Sequence, residues 1–372
     1  MNPTTTRFLL SGYYGFGNLG DEALLEVIIT QLRARFPQAT IDVLSATPEE
    51  TARQFNVSAT PRGNLPALQR AIDQANVVLS GGGGLLQSAT SLKSLLYYVN
   101  IIRQATNRRK TTMIFAQSIG PLDLLGRKTV SEFCRHIDLA TVRDSHSLAL
   151  LQKLLPQTKI ERTADPVFLY EPSSEPDPSF ANSFDDDVPL AFISIRKANQ
   201  ANDVADRVAT AVDLLWEQHG MRSVFFPFGG ARDAEISTTI IRRCKSQPLL
   251  LPAANLATAA ALIARCHVVI GMRLHALILA ARFGIPFLAL AYDPKVSALV
   301  EDLGYPLPCL WSSVPSKLRP PNIESLVERL ILEHTSLHAV LTQGTIAMQA
   351  AAERNFSLLE DLITHKGNSA DR

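Results

Sequence analysis

The sequence has little of several features that would assign it to a class at once. Only four cysteines occur in 372 residues, and no two of them form a CxxC pair. Neither a zinc site nor a disulfide framework is therefore indicated, and reduced cytosolic thiols are expected. Lysine plus arginine number 36 and aspartate plus glutamate 35, a net charge of +1. This balance argues against a nucleic-acid partner, because duplex DNA is bound by many surplus cations.

Long hydrophobic runs are also missing. The most apolar stretch, residues 276–291, is interrupted by Arg282 and Pro286 and is shorter than the about 18 apolar residues of a membrane span. Residues 1–17 hold one arginine and a very short apolar run, which is not typical of a signal peptide. We expect a cytoplasmic protein, with the inner face of the plasma membrane as the alternative location.

The hydrophobic content and the uneven charge indicate two folded parts. Apolar residues make up 46% of the chain, as in globular proteins, and the length suggests two domains. Residues 171–189 carry six acidic residues, four prolines and no basic residue, so the rest of the chain has a net charge of +7. We predict an N-terminal lobe at 1–170, an acidic proline-rich linker at 171–189, and a C-terminal lobe at 190–372. The final helices could cross back onto the first lobe.

Short apolar segments alternate with helical patterns in both lobes. Continuous apolar strands between helices are typical of parallel sheets covered on both faces. The predicted fold class is therefore α/β, with two Rossmann-like doubly wound lobes facing a central cleft. In such sheets ligands bind beyond the carboxyl ends of the strands. The strand-like segments that precede distinctive motifs include 8–11, 77–80, 113–116, 139–142, 267–270 and 287–290.

A glycine-rich motif follows the first strand. The segment GYYGFGNLGDE at 12–22 contains a GxGxxG pattern. Asp21 and Glu22 at the start of the next helix argue against a bound pyrophosphate, which requires positive potential there. One interpretation is a tight turn with Asp21 as the helix cap. The other is a loop in which Gly15, Asn18 and Asp21 bind the hydroxyl groups of a sugar.

Further polar and glycine motifs end other strands of the first lobe. In SGGGG at 80–84, the backbone can approach a ligand closely, and Gly82 and Gly83 could form an anion nest. A turn limited by packing is the alternative. Three more strands end at polar candidates, which are Ser118, Arg143 and Asp165. Arg143 could face the cleft or pair locally with an acid.

The second lobe contributes cations. Gly271 ends a strand, and the segment MRLH at 272–275 places Arg273 and His275 at the start of a helix. Cations are unfavourable at a helix N-terminus unless a bound anion compensates, so this local conflict indicates an anion site. Lys295 follows the next strand and would lie at the same edge of the sheet. The alternatives are a structural histidine and a solvated lysine.

Taken in order, these motifs resemble the polysaccharide pyruvyl transferase family, most closely the branch that pyruvylates bacterial cell-wall polysaccharide. The matching segments are GYYGFGNLGDEAL at 12–24, SGGGG at 80–84, QSIGP at 117–121, VRDSHSL at 142–148, ADPVF at 164–168, GMRLHALILA at 271–280 and YDPKV at 292–296. They span most of the chain from Phe8 to about Val300. The linker and the C-terminal helices carry no family signal.

The resemblance implies a glycosyltransferase-B-like fold, with phosphoenolpyruvate as co-substrate on the C-terminal lobe and no other cofactor. It also implies a sugar acceptor on the N-terminal lobe, often an N-acetylmannosamine in a lipid-linked oligosaccharide, and a cyclic ketal as product. The donor-site residues of the family fall on Arg143, Arg273, His275 and Lys295. We expect His275 to be the general acid or the phosphate clamp, and Asp21 to orient or deprotonate the acceptor hydroxyl.

The candidate site therefore has two sets of residues. The predicted catalytic set is His275, Arg273, Arg143, Lys295 and Asp21. The predicted substrate-binding set is Gly15, Asn18, Gly82, Gly83, Ser118, Asp165 and Gly271. No metal is expected, and the oligomeric state is left open. The basic run at 108–110 is expected to be a solvated turn, with peripheral membrane contact as the alternative.

Three other functions compete with pyruvyl transfer. The first is a nucleotide-sugar glycosyltransferase on the same fold, since a fold does not define an activity. The second is an oxidoreductase that uses the GxGxxG loop. The third is a non-catalytic sensor of phosphorylated metabolites, which would not need a proton donor such as His275.

Overall fold

The computed structural model describes residues 6–89, 91–171, 184, 187–197, 201–252, 255–291, 293–310 and 322–370, apart from the side chains of 201–202 and 367–370. The chain forms two compact units. Unit 1 comprises Met1–Leu169 together with Gln349–Arg372, and unit 2 comprises Tyr170–Met348. Most of the segment 171–189 lies outside the described residues, so the linker stays a prediction.

Unit 1 is built on a parallel sheet. Its strands are β1 (Arg7–Tyr14), β2 (Thr40–Ser45), β3 (Ser58–Pro61), β4 (Val77–Gly81), β5 (Thr111–Gln117), β6 (Leu139–Val142) and β7 (Ile160–Arg162). They lie in the order β3-β2-β1-β4-β5-β6-β7. Every residue of β4 and β5 is buried, as expected for central strands covered by helices on both faces.

Helices connect these strands. They are α1 (Leu19–Arg35), α2 (Pro48–Phe55), α3 (Leu65–Gln74), α4 (Leu92–Asn107), α5 (Leu124–Phe133) and α6 (Ser145–Leu154). Five of them begin where a polar side chain accepts a backbone N–H of the first turn, the capping residues being Asn18, Asn64, Ser91, Asp123 and Asp144. Each helix follows a strand, so its N-terminus lies at the carboxyl edge of the sheet.

Unit 2 has a smaller parallel sheet. Its strands are β8 (Leu190–Ser194), β9 (Arg222–Phe225), β10 (Leu249–Leu250), β11 (Val268–Gly271) and β12 (Phe287–Ala289). They lie in the order β10-β9-β8-β11-β12. The helices are α7 (Ala201–His219), α8 (Ala231–Ile241), α9 (Leu256–Arg265), α10 (Leu274–Arg282), α11 (Pro294–Asp302) and α12 (Ile323–Leu332).

The last helix, α13 (His334–Ala370), has residues in both units. In its first half, the Thr345 hydroxyl donates to the Ala281 carbonyl at 2.8 Å. In its second half, the buried Asn355 accepts from the Thr163 hydroxyl at 2.7 Å and donates to the Ala164 carbonyl at 2.9 Å. This part of the helix therefore forms part of the folded core of unit 1.

The α/β fold with parallel sheets that the sequence predicts is confirmed, as is the helix break near His334. Three short strands, β3, β7 and β10, were not predicted. β3 and β7 have no continuous apolar run and β10 is only two residues long, and the residues of all three are half-buried or exposed. They lie at the outer positions of the sheets, where one side of the strand has no partner. No helix of the described residues is long and apolar enough to cross a membrane.

Candidate functional site

The candidate residues of unit 1 lie along one edge of its sheet. β1, β4, β5, β6 and β7 are neighbours in this order, and each ends at the same edge. The loops that follow them carry the candidates, which are Gly15, Asn18 and Asp21 after β1, Gly82 and Gly83 after β4, Ser118 after β5, Arg143 after β6 and Asp165 after β7.

The loop between β1 and α1 is held by its own helix. Oδ1 of Asn18, the N-cap of α1, accepts from the Gly20 N–H at 3.2 Å, and Nδ2 donates to Asp21 at 2.6 Å. The Gly15 N–H donates to Oε1 of Glu22 at 2.9 Å. The interpretation of Asp21 as the helix cap is therefore wrong. Asn18 stands immediately before the helix in the extended conformation that a cap requires, whereas Asp21 lies within the first turn.

The carboxylate of Asp21 lies against the glycine turn after β4. A Cβ added to Gly83, whose φ is +60°, would lie 2.8 Å from Oδ1 of Asp21. A Cβ added to Gly82, with φ +97°, would lie 3.0 Å from the hydroxyl of Tyr14. That hydroxyl donates to the Gly81 carbonyl at 3.0 Å. Both glycines permit this close approach, and the structure thus brings Asp21, Gly82 and Gly83 together.

Glu22, in the first turn of α1, is a second buried acid beside this loop, and the sequence analysis did not include it in the site. Burial raises the pKa of Glu22 to about 7; the hydrogen bond from Gly15 opposes this shift, and repulsion from Asp21 and Glu50 adds to it. Burial, with Asp21 and Glu22 nearby, also raises the pKa of Tyr14 well above its ordinary value. The negative charge of this loop therefore changes around neutral pH.

Three residues predicted separately form one buried cluster. Nε of Arg143 donates to the Ser118 hydroxyl at 2.8 Å, and Nη1 pairs with the carboxylate of Asp165. The side chains of Arg143 and Asp165 are only 6% and 4% exposed. Of the two alternatives in the sequence, Arg143 thus fits local pairing with an acid. Within the described residues its Nη2 makes no hydrogen bond.

An aromatic cluster that the sequence analysis missed borders the same loop. The rings of Tyr13 and Phe16 stack with centroids 4.1 Å apart and are 40% and 45% exposed. The guanidinium carbon of Arg62 lies 4.8, 4.4 and 5.4 Å from the ring centroids of Phe16, Tyr97 and Tyr98, within cation–π range. Exposed, fixed rings next to polar groups offer a flat surface to a ligand that is part apolar and part hydroxylated.

The candidate residues of unit 2 lie at the ends of the neighbouring strands β11 and β12. Arg273 is the N-cap of α10, His275 is in its first turn, and Lys295 is in the first turn of α11. A Cβ added to Gly271 would lie 2.7 Å from Cδ2 of Leu277, so glycine lets α10 pack closely on its strand. The two helix N-termini thus bring three basic residue types to one edge.

Arg273 is braced by an acid that the sequence analysis missed. Its Nε and Nη2 donate to the two carboxylate oxygens of Asp233 at 2.8 and 2.5 Å, a two-point contact that fixes the guanidinium plane. Asp233 is 1% exposed and also accepts from the Gly229 N–H at 2.7 Å. A Cβ on Gly229 would lie 1.9 Å from Nη2 of Arg273. In the sequence, the glycine pair at 229–230 after β9 could have indicated this part of the site, as the glycine motifs of unit 1 did there.

Lys295 has a weaker acidic neighbour. Its Nζ lies 4.0 Å from Oδ2 of Asp293, and the two side chains are 25% and 30% exposed. Asp293 caps α11 by accepting from the Lys295 N–H at 3.0 Å. A pair at this distance and exposure contributes little. The described residues contain no group of three or more His, Cys, Asp or Glu side chains that could hold a metal ion.

A known protein family that matches the chain is the one that its motifs resemble. A model of the family described as polysaccharide pyruvyl transferase matches residues 18–294. This range includes every candidate residue except Gly15 and Lys295. None of the curated proteins compared with the chain matches it.

Several solved structures have a similar fold. The UDP-GlcNAc 2-epimerase of Neisseria meningitidis, bound to UDP-GlcNAc, is 10% identical with a TM-score of 0.61 over 96% of this chain and 100% of that chain. S. aureus MnaA, in a structure with UDP, is 12% identical with a TM-score of 0.61 over 96% and 98%. Anabaena HepE, in complex with UDP and glucose, is 11% identical with a TM-score of 0.59 over 99% and 100%. At identities this low, the similarity shows the fold alone. The structural similarity confirms the prediction of a glycosyltransferase-B-like fold.

Proposed function

Because the chain belongs to the polysaccharide pyruvyl transferase family, we propose that it transfers the pyruvyl group of phosphoenolpyruvate to two hydroxyls of one sugar. The acceptor is a precursor of cell-wall or extracellular polysaccharide, which fits the cell-wall branch. The products are a cyclic pyruvate ketal and phosphate. The observation that carries the proposal is the cationic edge of unit 2, where Arg273, His275 and Lys295 follow two neighbouring strands.

The donor carries a carboxylate and a phosphate, so its site must supply several positive groups. Asp233 holds two N–H groups of Arg273, which leaves the rest of a fixed fork for an oxyanion. Lys295 supplies a second cation, and the N-termini of α10 and α11 add backbone N–H groups and the positive ends of two helix dipoles.

His275 is the proposed general acid. It protonates C3 of the donor, which becomes a methyl group, and positive charge develops at C2. The first sugar hydroxyl bonds to C2 and gives its proton to a base, for which we propose Asp21. The C2–O bond to phosphate then breaks, and its electron pair leaves with the phosphate. The second hydroxyl bonds to C2, and its proton passes to the phosphate. Through exchange with solvent, the proton taken up by Asp21 replaces the one that His275 gave to C3, so donor plus diol equals ketal plus inorganic phosphate.

The loop of unit 1 fits the acceptor, because its acidic residues repel an anionic donor but accept hydrogen bonds from neutral hydroxyls. Asn18 and Asp21 supply these groups, and the exposed ring of Tyr13 supplies a surface for the apolar face of the sugar. Tyr13→Ala should raise the acceptor KM severalfold, about the effect of one lost stacking contact, while Tyr13→Phe should not. Equal KM values for both variants would remove Tyr13 from the acceptor site.

The decisive experiment incubates the purified chain with phosphoenolpyruvate and a panel of methyl glycosides and lipid-linked disaccharides. Product mass and free phosphate are both measured. We expect a product with the mass of the acceptor plus pyruvate minus one water, and one phosphate released per product. A parallel incubation replaces phosphoenolpyruvate with a UDP-sugar, and transfer of its sugar to an acceptor instead would assign the chain to the glycosyltransferases. Binding of phosphoenolpyruvate without phosphate release with any acceptor would indicate a sensor.

A further inference from the structure

A pair of leucines on unit 1 has no role in the proposed chemistry and is exposed to solvent. Leu124 and Leu125 are the first two residues of α5 and are 87% and 53% exposed. Single apolar side chains on a surface are normal. Two in succession, with Leu96 of the neighbouring α4 also 41% exposed, indicate an interaction surface.

The position of these leucines is fixed by hydrogen bonds. Asp123 caps α5 by accepting from the Gly126 N–H at 2.7 Å. Its own N–H donates to the Ser88 hydroxyl at 2.9 Å, and the Ser88 N–H donates to the Pro121 carbonyl at 3.0 Å. Ser88 shortly precedes α4, so the starts of α4 and α5 are tied to each other. Both starts lie at the carboxyl edge of the sheet, as does the loop between β1 and α1 at residues 15–18, which we call the acceptor loop.

Three cations lie in the same two helices as the leucines. Lys93 at the start of α4 and Arg127 and Lys128 in α5 are exposed, and no carboxylate among the described residues pairs with them. α4 contains no acidic residue. In α5, Glu132 pairs with Arg135 at 3.2 Å. Leu96, Leu124, Leu125, Lys93, Arg127 and Lys128 together form what we call the α4–α5 patch.

We propose that the α4–α5 patch docks unit 1 on an anionic lipid bilayer. Exposed leucines next to cations are the combination that enters the headgroup region, the leucines by burial and the cations by attraction to lipid phosphates. A second copy of the chain fits less well, because a two-fold contact would set the same cations against each other. Docking does not depend on the proposed function. Its consequence, that a lipid-linked acceptor is held near the acceptor loop, does rest on the proposed function.

The test is sedimentation of the full chain with vesicles of phosphatidylcholine alone or mixed with phosphatidylglycerol. We expect binding to the anionic vesicles that weakens with salt, because salt screens exposed charges. The double variant Leu124→Ser, Leu125→Ser should bind on the order of tenfold more weakly, through lost apolar burial. The double variant Arg127→Glu, Lys128→Glu should lose the preference for anionic vesicles.

The matched control is Leu332→Ser, which replaces a leucine of α12 in unit 2 that is 76% exposed and should leave binding unchanged. No sedimentation of the unaltered chain with anionic vesicles, or an equal loss in Leu332→Ser, would overturn the proposal. So would self-association without lipid, measured by analytical ultracentrifugation, that the leucine double variant abolishes.

The leucine double variant should also keep its melting temperature and its phosphate release with a water-soluble acceptor. This readout separates the two proposals. An unaltered chain that binds vesicles but transfers no pyruvyl group contradicts the proposed function alone. A chain that transfers the group but ignores vesicles contradicts only the docking surface.

Discussion

The two units present opposite charges at equivalent edges of their sheets. In unit 1, α1 begins with Asp21 and Glu22, whereas in unit 2 Arg273 and His275 stand at the start of α10. Carboxylates are stabilised at a helix N-terminus and cations are destabilised there. The edge of unit 1 is thus electrostatically satisfied by its own chain and suits a neutral ligand. At the edge of unit 2 the same rule is not met by the chain itself, and a bound anion would stabilise it.

The two arginine–aspartate pairs also differ between the units, in how far the arginine is exposed to solvent. Arg143 and Asp165 are sealed in unit 1, with both side chains nearly inaccessible. In unit 2, Asp233 is 1% exposed but Arg273 is 18% exposed. A buried pair is costly to break because one charge is left unpaired. In the pair of unit 2, the aspartate is instead buried and the arginine stays partly exposed to solvent.

The largest effect should come from His275, whose removal tests the cationic edge directly. Positioned acids typically contribute 10²–10⁴-fold, so His275→Ala should lower kcat by about that factor with an unchanged melting temperature. His365→Ala, which alters an exposed histidine of α13, should keep full activity. Phosphate release is the assay for both. A kcat of His275→Ala near that of the unaltered chain would remove His275 from the chemistry.

The next effect concerns the acidic edge and depends on pH. The pKa of Glu22 is about 7 in the folded chain against an ordinary 4.5, so the folded state binds more protons between these values. Stability should therefore fall as pH rises from 4.5 to 7, by roughly 3 kcal/mol for this group. Glu22→Gln should remove this slope in the free energy of unfolding, measured by urea titration at each pH.

The control for Glu22 is Glu49→Gln, because Glu49 is an exposed acid close by in α2. It should retain the pH dependence of the unaltered chain. If Glu22→Gln shows the same slope as Glu49→Gln, the carboxyl of Glu22 does not titrate in this range and the charge of the acceptor loop is constant.

A smaller effect should separate donor from acceptor binding. Arg273→Ala removes a charge-assisted contact of about 1.5–3 kcal/mol, so the KM for phosphoenolpyruvate should rise about 10- to 100-fold while the acceptor KM stays the same. Arg273→Lys keeps the charge but loses the planar guanidinium. Its KM for phosphoenolpyruvate should lie between those of Arg273→Ala and the unaltered chain. Steady-state kinetics with each substrate varied in turn gives both constants. A rise in acceptor KM alone would reverse the assignment of the two edges.

The smallest effect tests the contact of Asp21 with the glycine turn. Gly83→Ala forces a left-handed residue, at about 1–2 kcal/mol, and places a Cβ against the carboxylate of Asp21. Gly220 has the same φ of +60° with nothing within 4 Å of its Cβ. Gly220→Ala should lose similar stability. Only Gly83→Ala should raise the acceptor KM, and equal kinetics in both variants would show that Asp21 does not hold the acceptor.

Sequence reasoning predicted the elements that depend on neighbours along the chain. The central strands β1, β4, β5 and β11 carry continuous apolar runs, and these runs predicted them. The outer strand β3 was not predicted, because its residues are partly exposed and have no apolar pattern. The structure shows three groups of site residues, one after β1 and β4, one after β5, β6 and β7, and one after β11 and β12. The proposed roles of these residues stay predictions.

The sequence by itself determined the alternation of strands and helices, and hence which loops lie at the carboxyl edges, because apolar periodicity and helix caps are local properties. Only the tertiary structure decided the partners of the charges. Arg273 meets Asp233 forty positions earlier, and Arg62 reaches the ring of Phe16 from another loop. Such pairs form because strands distant in sequence are neighbours in the sheet, and no local pattern records which ends will meet.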